Sequence, residues 1–278
     1  MPIGSNDLEM HRVGAVSFLN TLPLIDGLSR TDNVEVVLDV PSRLAQRLVA
    51  GETDLSLCSV IDHQRTAIEL ELVPVGIIGS EGRTDTVALF SKLPFEEIDA
   101  IACDVDSHTS VTLLKIIMEL VYGRKPNLET FDAAAAGECP AALMLIGDKV
   151  VRQAPSPVTH PYRLDLGQAW QELTGRPFVF GAWFRRRNDD EAGRARAERL
   201  AVLLDHRRRH NRERIDSIVA THAAAHGWVA SDARRYLCDR LRFDPTAERL
   251  DAIRYFFELA AQVGATEGVR PLTIASMT

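Results

Sequence analysis

Four short polar clusters hold most of the side chains that could do chemistry in this 278-residue chain. They occupy residues 17–21, 58–59, 107–110 and 147–148, and each follows an apolar run typical of a buried strand. In open α/β sheets, ligands bind beyond the carboxyl ends of the strands, where helix amino termini offer unpaired N–H groups and partial positive charge. Such hydroxyls and backbone donors favour a carboxylate or polyol ligand over an apolar one.

The clusters supply a set of candidate ligand-binding residues. Serine, threonine and asparagine at strand ends also serve as helix caps, so each residue taken singly has this simpler explanation. The candidates are Ser17, Asn20, Ser59, Ser107, His108, Thr109, Ser110, Gly147 and Asp148.

Two histidine pairs have a spacing that can hold a metal ion on one helix face, His206 with His210 and His222 with His226. Neither pair contains the glutamate of the H-E-x-x-H motif, and the neighbouring alanines and arginines offer no third ligand. We therefore predict no metal site and interpret both pairs as a solvated helix face. The basic run 206–214 is interpreted in the same way, as surface arginines and not as a nucleic-acid site.

Several catalytic motifs are missing from the sequence. It contains no G-x-x-x-x-G-K-[ST] phosphate loop, no G-x-G-x-x-G turn and no G-x-S-x-G elbow. Nucleotide hydrolysis, dinucleotide redox chemistry and α/β-hydrolase chemistry therefore lose support. A ligand-binding cleft or a cofactor-free enzyme remains.

The elements that must position the clusters follow an α/β pattern. Apolar runs predict strands at 11–18, 34–40 and 54–60, with a Pro-initiated helix at 41–50 between the last two. Further strands are predicted at 72–78 and 86–90. The short connections indicate a mostly parallel sheet.

A second unit begins after the polar, proline-containing break at 91–94. It contains predicted strands at 100–103 and 141–146, a helix at 111–121, and a returning strand at 177–183. Four predicted helices follow, at 191–206, 212–225, 231–241 and 246–263. We therefore predict a discontinuous first lobe (10–93 and 187–278), an inserted second lobe (94–186) and a flexible leader (1–9).

Composition limits the classes of partner. The net charge is −7, which disfavours a surface built for nucleic acid or anionic lipid, and no apolar run approaches the roughly 18 residues that span a bilayer. The four cysteines never form a C-x-x-C pair and are expected to be reduced thiols.

Because the first residues lack a secretory signal, we expect a cytoplasmic protein. A homodimer is compatible with the sequence.

Several segments resemble the chorismate dehydratases of the futalosine route to menaquinone. They are VGAVSFLNTLP (13–23), PSRLAQRLVAGETD (41–54), SHTSV (107–111), LIGD (145–148) and DLGQAWQELTGRPFVFGAW (165–183). The resemblance covers residues 11–186 and continues less distinctly into the helical tail.

The resemblance implies a type II periplasmic-binding-protein-like fold, with two α/β lobes and the ligand between them. The implied reaction converts chorismate to 3-[(1-carboxyvinyl)oxy]benzoate and water. The C4 hydroxyl leaves and the C3 proton is lost, so the ring becomes aromatic and neither a metal nor a redox cofactor is needed.

The resemblance also assigns roles to residues. Asn20 would contact the substrate at a helix amino terminus, and Thr86 stands where relatives often have serine. The preceding loop, 81–85, departs from the family pattern. Asp148 and His108 are the titratable candidates for a base, but we favour the substrate's own enolpyruvyl carboxylate as the proton acceptor.

Two alternatives remain at this point. A solute receptor would use the same fold to capture a small carboxylate, since the fold alone does not specify the function. The sister family that makes dihydroxynaphthoate in the same pathway also shares the fold. It resembles this chain less, because its first strand continues into an S-P-C-P-N-D type sequence that is absent here.

Overall fold

A computed structural model describes residues 10–132 and 138–277, and its architecture is two β-sheets with helices packed around them. The predicted leader at 1–9 lies outside the described residues. Each sheet with its helices forms one lobe, and the chain passes from the first lobe to the second and back.

The first sheet has six strands in the order β11-β4-β10-β3-β1-β2. Strands β1, β2 and β3 are mutually parallel, whereas β10 runs antiparallel between β3 and β4, and β11 is antiparallel to β4. The strands are β1 (His11–Val16), β2 (Val34–Asp39), β3 (Leu55–Ser59), β4 (Leu70–Ser80), β10 (Phe178–Arg186) and β11 (Leu241–Arg242).

The second sheet has five strands in the order β7-β6-β8-β5-β9. Strand β6 is parallel to β7 and β8, and β5 is antiparallel to β8 and β9. The strands are β5 (Val87–Ser91), β6 (Ala100–Asp104), β7 (Asn127–Phe131), β8 (Ala142–Ile146) and β9 (Tyr162–Asp165).

Several helices begin at a side-chain cap that satisfies a first-turn N–H group. Ser107, Asp165, Asp190 and Thr246 each accept a hydrogen bond from an amide of the helix that they precede. The helices are α1 (Leu22–Ile25), α2 (Pro41–Val49), α3 (Asp62–Arg65), α4 (His108–Leu120), α5 (Asp148–Gln153), α6 (Leu166–Thr174), α7 (Glu191–Arg212), α8 (Ile215–His222), α9 (Ala230–Arg235) and α10 (Ala247–Gln262).

The predicted α/β class and two-lobed arrangement are confirmed, but the lobe boundaries differ from those predicted. The sequence assigned 86–90 to the first lobe and 177–183 to the second, whereas β5 belongs to the second sheet and β10 to the first. Both are apolar runs whose partners lie far away in sequence, so local pattern does not reveal which sheet they join. The sheets are also less parallel than predicted, because β10, β11 and β5 run antiparallel to their neighbours.

The helical tail differs from prediction around residue 236. The predicted helix 231–241 is divided into α9, a π-helical turn (Tyr236–Arg240) and β11. The pairing of β11 with β4 places this turn against the first sheet, close to where the chain leaves β4 for the second lobe. Within residues 10–132 and 138–277, no helix is long and apolar enough to cross a bilayer.

Candidate functional site

A cavity lies between the two sheets and encloses about 580 Å³ of empty space, measured out to its mouth. The lining residues come from both lobes and from the C-terminal segment. They are Val16, Phe18, Asn20, Pro41, Leu57, Cys58, Ser59, Ile78, Thr84, Thr86, Val87, Ser107, Ser110, Ile146, Gly147, Phe180, Gly181, Tyr236 and Leu241.

Three polar side chains meet on one wall of the cavity. The Thr86 hydroxyl donates a hydrogen bond to the phenol oxygen of Tyr236 at 2.8 Å, and Asn20 Nδ2 donates to the same oxygen at 3.3 Å. Asn20 lies in the turn after β1, Thr86 directly precedes β5, and Tyr236 begins the π-helical turn. The wall therefore joins three segments that are far apart in sequence.

The carboxylate of Asp165 fixes the position of Thr86. It accepts hydrogen bonds from the backbone N–H groups of Thr84 and Asp85 at one lobe crossing, at 3.0 and 2.7 Å. It also caps α6 at the other crossing, where it accepts from the amides of Gly167 and Gln168. This half-buried carboxylate therefore connects the segment by which the chain enters the second lobe with the segment by which it returns, directly before Thr86.

Hydroxyl and backbone groups of both lobes supply the rest of the polar lining. Ser107 and Ser110 lie at the start of α4, where the Ser107 hydroxyl accepts a hydrogen bond from the Ser110 amide at 3.2 Å. Gly147 lies at the end of β8, and Ser59 ends β3 of the first lobe. The first-turn amides of α4 and its helix dipole make this part of the cavity suitable for an anion.

Four sequence-predicted residues do not line the cavity. Ser17 is exposed. His108 Nδ1 and Asp62 Oδ1 are 2.7 Å apart, and the Thr109 hydroxyl accepts from the Ile61 amide at 3.4 Å. These two contacts join the lobes beside the cavity, because the chain turns the two side chains away from it on entering α4. Asp148, the fourth, is buried behind the cavity wall.

Asp148 connects both lobes and the C-terminal segment. One carboxylate oxygen accepts from the Leu19 amide at 3.1 Å and lies 2.7 Å from His226 Nδ1. The other oxygen accepts from Trp228 Nε1 at 2.8 Å. The Trp228 ring in turn stacks on Tyr236, with ring centroids 4.8 Å apart. Because both of its oxygens are engaged by protein groups, Asp148 acts as a structural tie in place of the predicted substrate ligand.

One of the two histidine pairs differs from the prediction of a solvated face, whereas His206 and His210 are both exposed, as predicted. His226 contacts Asp148, and His222 Nε2 lies 3.2 Å from Asp26 Oδ1. These two side chains are half-buried and face different carboxylates. In the part of the chain that is described, no group of three or more His, Cys, Asp or Glu side chains is arranged to hold a metal ion.

The acid–base character of the cavity is unusual for an enzyme. Among the described residues that line it there is no carboxylate, imidazole or amine; its titratable groups are Cys58 and Tyr236. Burial raises the pKa of the Cys58 thiol and of the Tyr236 phenol, so both stay protonated at neutral pH. The lining can donate hydrogen bonds but offers no group that is a strong base at neutral pH.

Gly147 is required by its backbone conformation and by the ring beside it. Its φ of 58° and ψ of −142° are accessible essentially to glycine alone, and a Cβ here would lie 2.7 Å from Cδ2 of Phe18. We expect Gly147→Ala to lower the free energy of unfolding by about 1–3 kcal/mol and to displace Phe18 in the cavity. Urea unfolding and ligand titration measure the two effects.

Gly123→Ala is the matched control for this prediction. Gly123 has a similar φ of 64°, but nothing lies within 4 Å of the position that a Cβ would take there. It should therefore show backbone strain of about 1–2 kcal/mol without a change in ligand affinity. Equal ligand affinity in the two variants would contradict the assigned contact between Gly147 and Phe18.

Solved structures with similar folds include periplasmic binding proteins. A Candida albicans gene product described as having the generic periplasmic binding protein fold matches with a TM-score of 0.63 and 10% identity, covering 95% of this chain and 92% of that one. The alkanesulfonate-binding protein SsuA of Xanthomonas axonopodis pv. citri matches with a TM-score of 0.60 and 14% identity, over 91% and 93% of the two chains. At these identities the likeness establishes the fold, as the sequence resemblance implied.

Sequence comparison gives a narrower result. A chorismate dehydratase of Thermus thermophilus is 30% identical over 194 residues, which is 64% of this chain and 70% of that protein. The family described as menaquinone biosynthesis matches residues 11–262, from β1 to the last residue of α10. The resemblance found in the sequence motifs is thereby confirmed, and the chain belongs to the menaquinone biosynthesis family.

Proposed function

We propose that this protein is a chorismate dehydratase, which converts chorismate to 3-[(1-carboxyvinyl)oxy]benzoate and water. The observation that carries the proposal is an interlobe cavity whose polar lining consists of hydroxyl, thiol and amide groups. Such a lining can orient an anion and stabilise a leaving hydroxide. The choice of chorismate as the substrate is supported by family membership and by the Thermus thermophilus relative.

Ser107 and Ser110 would bind a carboxylate of the substrate together with the first-turn amides of α4. Among the described lining residues there is no arginine or lysine, and the whole chain has a net charge of −7. A dianion must therefore be held by local dipoles acting against a repulsive overall field. Ser59 would add a further hydroxyl contact, and Gly147, whose N–H donates to the Thr86 carbonyl at 2.8 Å, would contact the ring through its backbone.

The enolpyruvyl carboxylate of the substrate would remove the C3 proton. It is tethered close to that carbon, and the described lining residues offer no carboxylate or imidazole that could take the role. Neither sequence-predicted base lines the cavity: Asp148 is bonded to protein donors, and His108 lies outside beside Asp62. The product ring is aromatic, which supplies the driving force.

Asn20 and Thr86 would orient the departing hydroxyl at C4. Both side chains lie on the same wall, where their hydrogen bonds to Tyr236 hold them in place. The second Nδ2 proton of Asn20 would stabilise negative charge as it develops on the leaving oxygen. The Thr86 proton is donated to Tyr236, so its oxygen would accept a hydrogen bond from the C4 hydroxyl and orient it. The protein's part in catalysis would thus be positioning and electrostatic stabilisation.

Ser110→Ala should weaken substrate binding while leaving the fold intact. Its hydroxyl is a donor for a charged carboxylate in a buried wall, and such hydrogen bonds contribute about 1.5–3 kcal/mol, so KM should rise about 10- to 100-fold. Steady-state kinetics give KM directly. Ser231→Ala, on the exposed face of α9, is the matched control and should keep its KM. An unchanged KM in Ser110→Ala would remove Ser110 from the carboxylate site.

The competing proposal is a receptor that binds a small carboxylate without changing it. Periplasmic binding proteins among the structural neighbours favour it only at the level of fold. Incubation of the purified protein with chorismate and chromatography of the mixture separates the two. We expect an aromatic product with an intact enolpyruvyl ether; tight binding with chorismate recovered unchanged would support the receptor.

The proposal includes a cytoplasmic location, because a biosynthetic lyase acts where its intermediate is made. A homodimer stays a prediction, which light scattering of the purified protein would test.

A further inference from the structure

The phenol of Tyr236 has a proton without a protein acceptor. Its oxygen accepts hydrogen bonds from the Thr86 hydroxyl and from Asn20 Nδ2, which occupy its acceptor positions. The Thr21 hydroxyl donates to Asn20 Oδ1 at 3.3 Å, which orients the amide so that its nitrogen faces Tyr236. Within residues 10–132 and 138–277, no group accepts a hydrogen bond from the Tyr236 hydroxyl, although the residue lines the cavity.

The ring of Tyr236 is held rigidly enough to aim this proton. It is 2% exposed and stacks on Trp228 with an angle of 10° between the two ring planes. Asp148 holds Trp228 by accepting from its Nε1 at 2.8 Å. The π-helical turn that begins at Tyr236 is a rare element that often marks functional sites.

The surroundings of the phenol suit a group that gives up a proton and recovers it. Burial raises the pKa of Tyr236, so the group is protonated at neutral pH, while the hydrogen bonds from Thr86 and Asn20 lower the pKa and favour the tyrosinate. Two donors aimed at one oxygen form the arrangement that stabilises an oxyanion. The same wall of the cavity therefore supplies the proton and stabilises the tyrosinate that is left when the proton is lost.

We propose that Tyr236 is a further catalytic residue, whose hydroxyl donates the proton that converts the departing C4 hydroxyl group into water. The inference rests on the proposed function. As the C4–O bond breaks, its electron pair leaves with the oxygen, and that oxygen takes the Tyr236 proton. The C3 proton passes to the enolpyruvyl carboxylate, and the C3–H electron pair enters the aromatic ring. The resulting carboxylic acid then returns a proton to the tyrosinate, so chorismate yields the benzoate and one water.

Tyr236→Phe is the first test, because it removes the proton and keeps the ring that stacks on Trp228. We expect kcat to fall about 10²- to 10⁴-fold, the range for a positioned general acid, with little change in KM. Tyr255→Phe is the matched control, since Tyr255 packs against Trp170 and Arg176 and does not line the cavity. Its kcat should equal that of the unsubstituted protein.

A pH profile separates proton donation from a structural role. Difluorotyrosine at position 236 keeps the hydroxyl but makes it more acidic, so the alkaline loss of kcat should move to lower pH than in the unsubstituted protein. A structural hydroxyl would leave the profile unmoved, and that result would overturn the inference.

The controls also separate this inference from the proposed function. If the unsubstituted protein and Tyr255→Phe turn over chorismate and Tyr236→Phe does so equally fast, Tyr236 is not the acid and the proposed function still stands. If the unsubstituted protein leaves chorismate unchanged, the proposed function fails and the inference fails with it.

Discussion

Asp148→Ala is expected to lower the free energy of unfolding by about 3–5 kcal/mol, the cost of removing one partner from a buried charged network. The carboxylate is 6% exposed and contacts the Leu19 amide, His226 Nδ1 and Trp228 Nε1. Alanine would leave these donors without an acceptor and would remove one of the connections between the two lobes and the C-terminal segment. The midpoint of urea unfolding measures the loss.

Asp232→Ala is the control for this experiment. Asp232 pairs with Arg235 at 2.9 Å, but its side chain is 47% exposed, so its removal should change stability by no more than about 0.5 kcal/mol. Equal unfolding midpoints for Asp148→Ala and the unsubstituted protein would show that the network is not a structural tie.

Asp148→Asn distinguishes the structural tie from a catalytic base. The amide oxygen can still accept from Trp228 or Leu19, so we expect a folded variant that retains turnover. A folded variant that binds substrate but does not turn it over would make Asp148 the base and would contradict proton removal by the substrate's own carboxylate.

Asn20→Ala should lower kcat about 10²- to 10³-fold, because a preorganised donor to a developing oxyanion contributes about this much. The variant also removes the 3.3 Å hydrogen bond that Nδ2 donates to Tyr236. Steady-state kinetics give the change. The matched control is Asn127→Ala on the exposed edge strand β7, where the side-chain amide donates to Glu129; its kcat should not change. A loss confined to KM in Asn20→Ala would assign this residue to binding alone.

The double variant of Asn20→Ala with Tyr236→Phe extends this prediction. Residues that act as one unit show strongly non-additive losses, so the double variant should be little slower than the slower single variant. Fully additive losses would mean that the two side chains act independently.

The sequence pattern locates most of the fold because the buried strands and capped helices have local signals. It missed β7 and β9, which lie at the two edges of the second sheet and carry polar residues such as Asn127, Glu129 and Arg163. Edge strands are commonly built this way, and their weak alternation hides them. The lobe boundaries depend on pairing between distant strands, which no local window contains.

The candidate site was predictable where a polar cluster lies at the end of a strand or shortly after it. Asn20, Ser59, Ser107, Ser110 and Gly147 obey this rule and line the cavity. The same rule also selected Ser17, His108, Thr109 and Asp148, which do not line the cavity, because the rule does not predict the direction of a side chain.

Tyr236 was missed for a different reason. It lies in an arginine-rich helical segment without a motif, 216 residues from Asn20, and only the folded chain brings the two together. Its sequence neighbourhood offers no clear signal, because Trp228 lies eight positions away and the stacking of the two rings is visible only in the folded chain.

The most direct test is multiple turnover of chorismate by catalytic amounts of the protein, followed by proton nuclear magnetic resonance. The proposed function predicts that the ring protons of chorismate are replaced by those of a 3-substituted benzoate while the enolpyruvyl protons persist. It also predicts that this conversion continues well beyond one equivalent of protein. Release of pyruvate, a rearranged product, or chorismate that remains unchanged would contradict it.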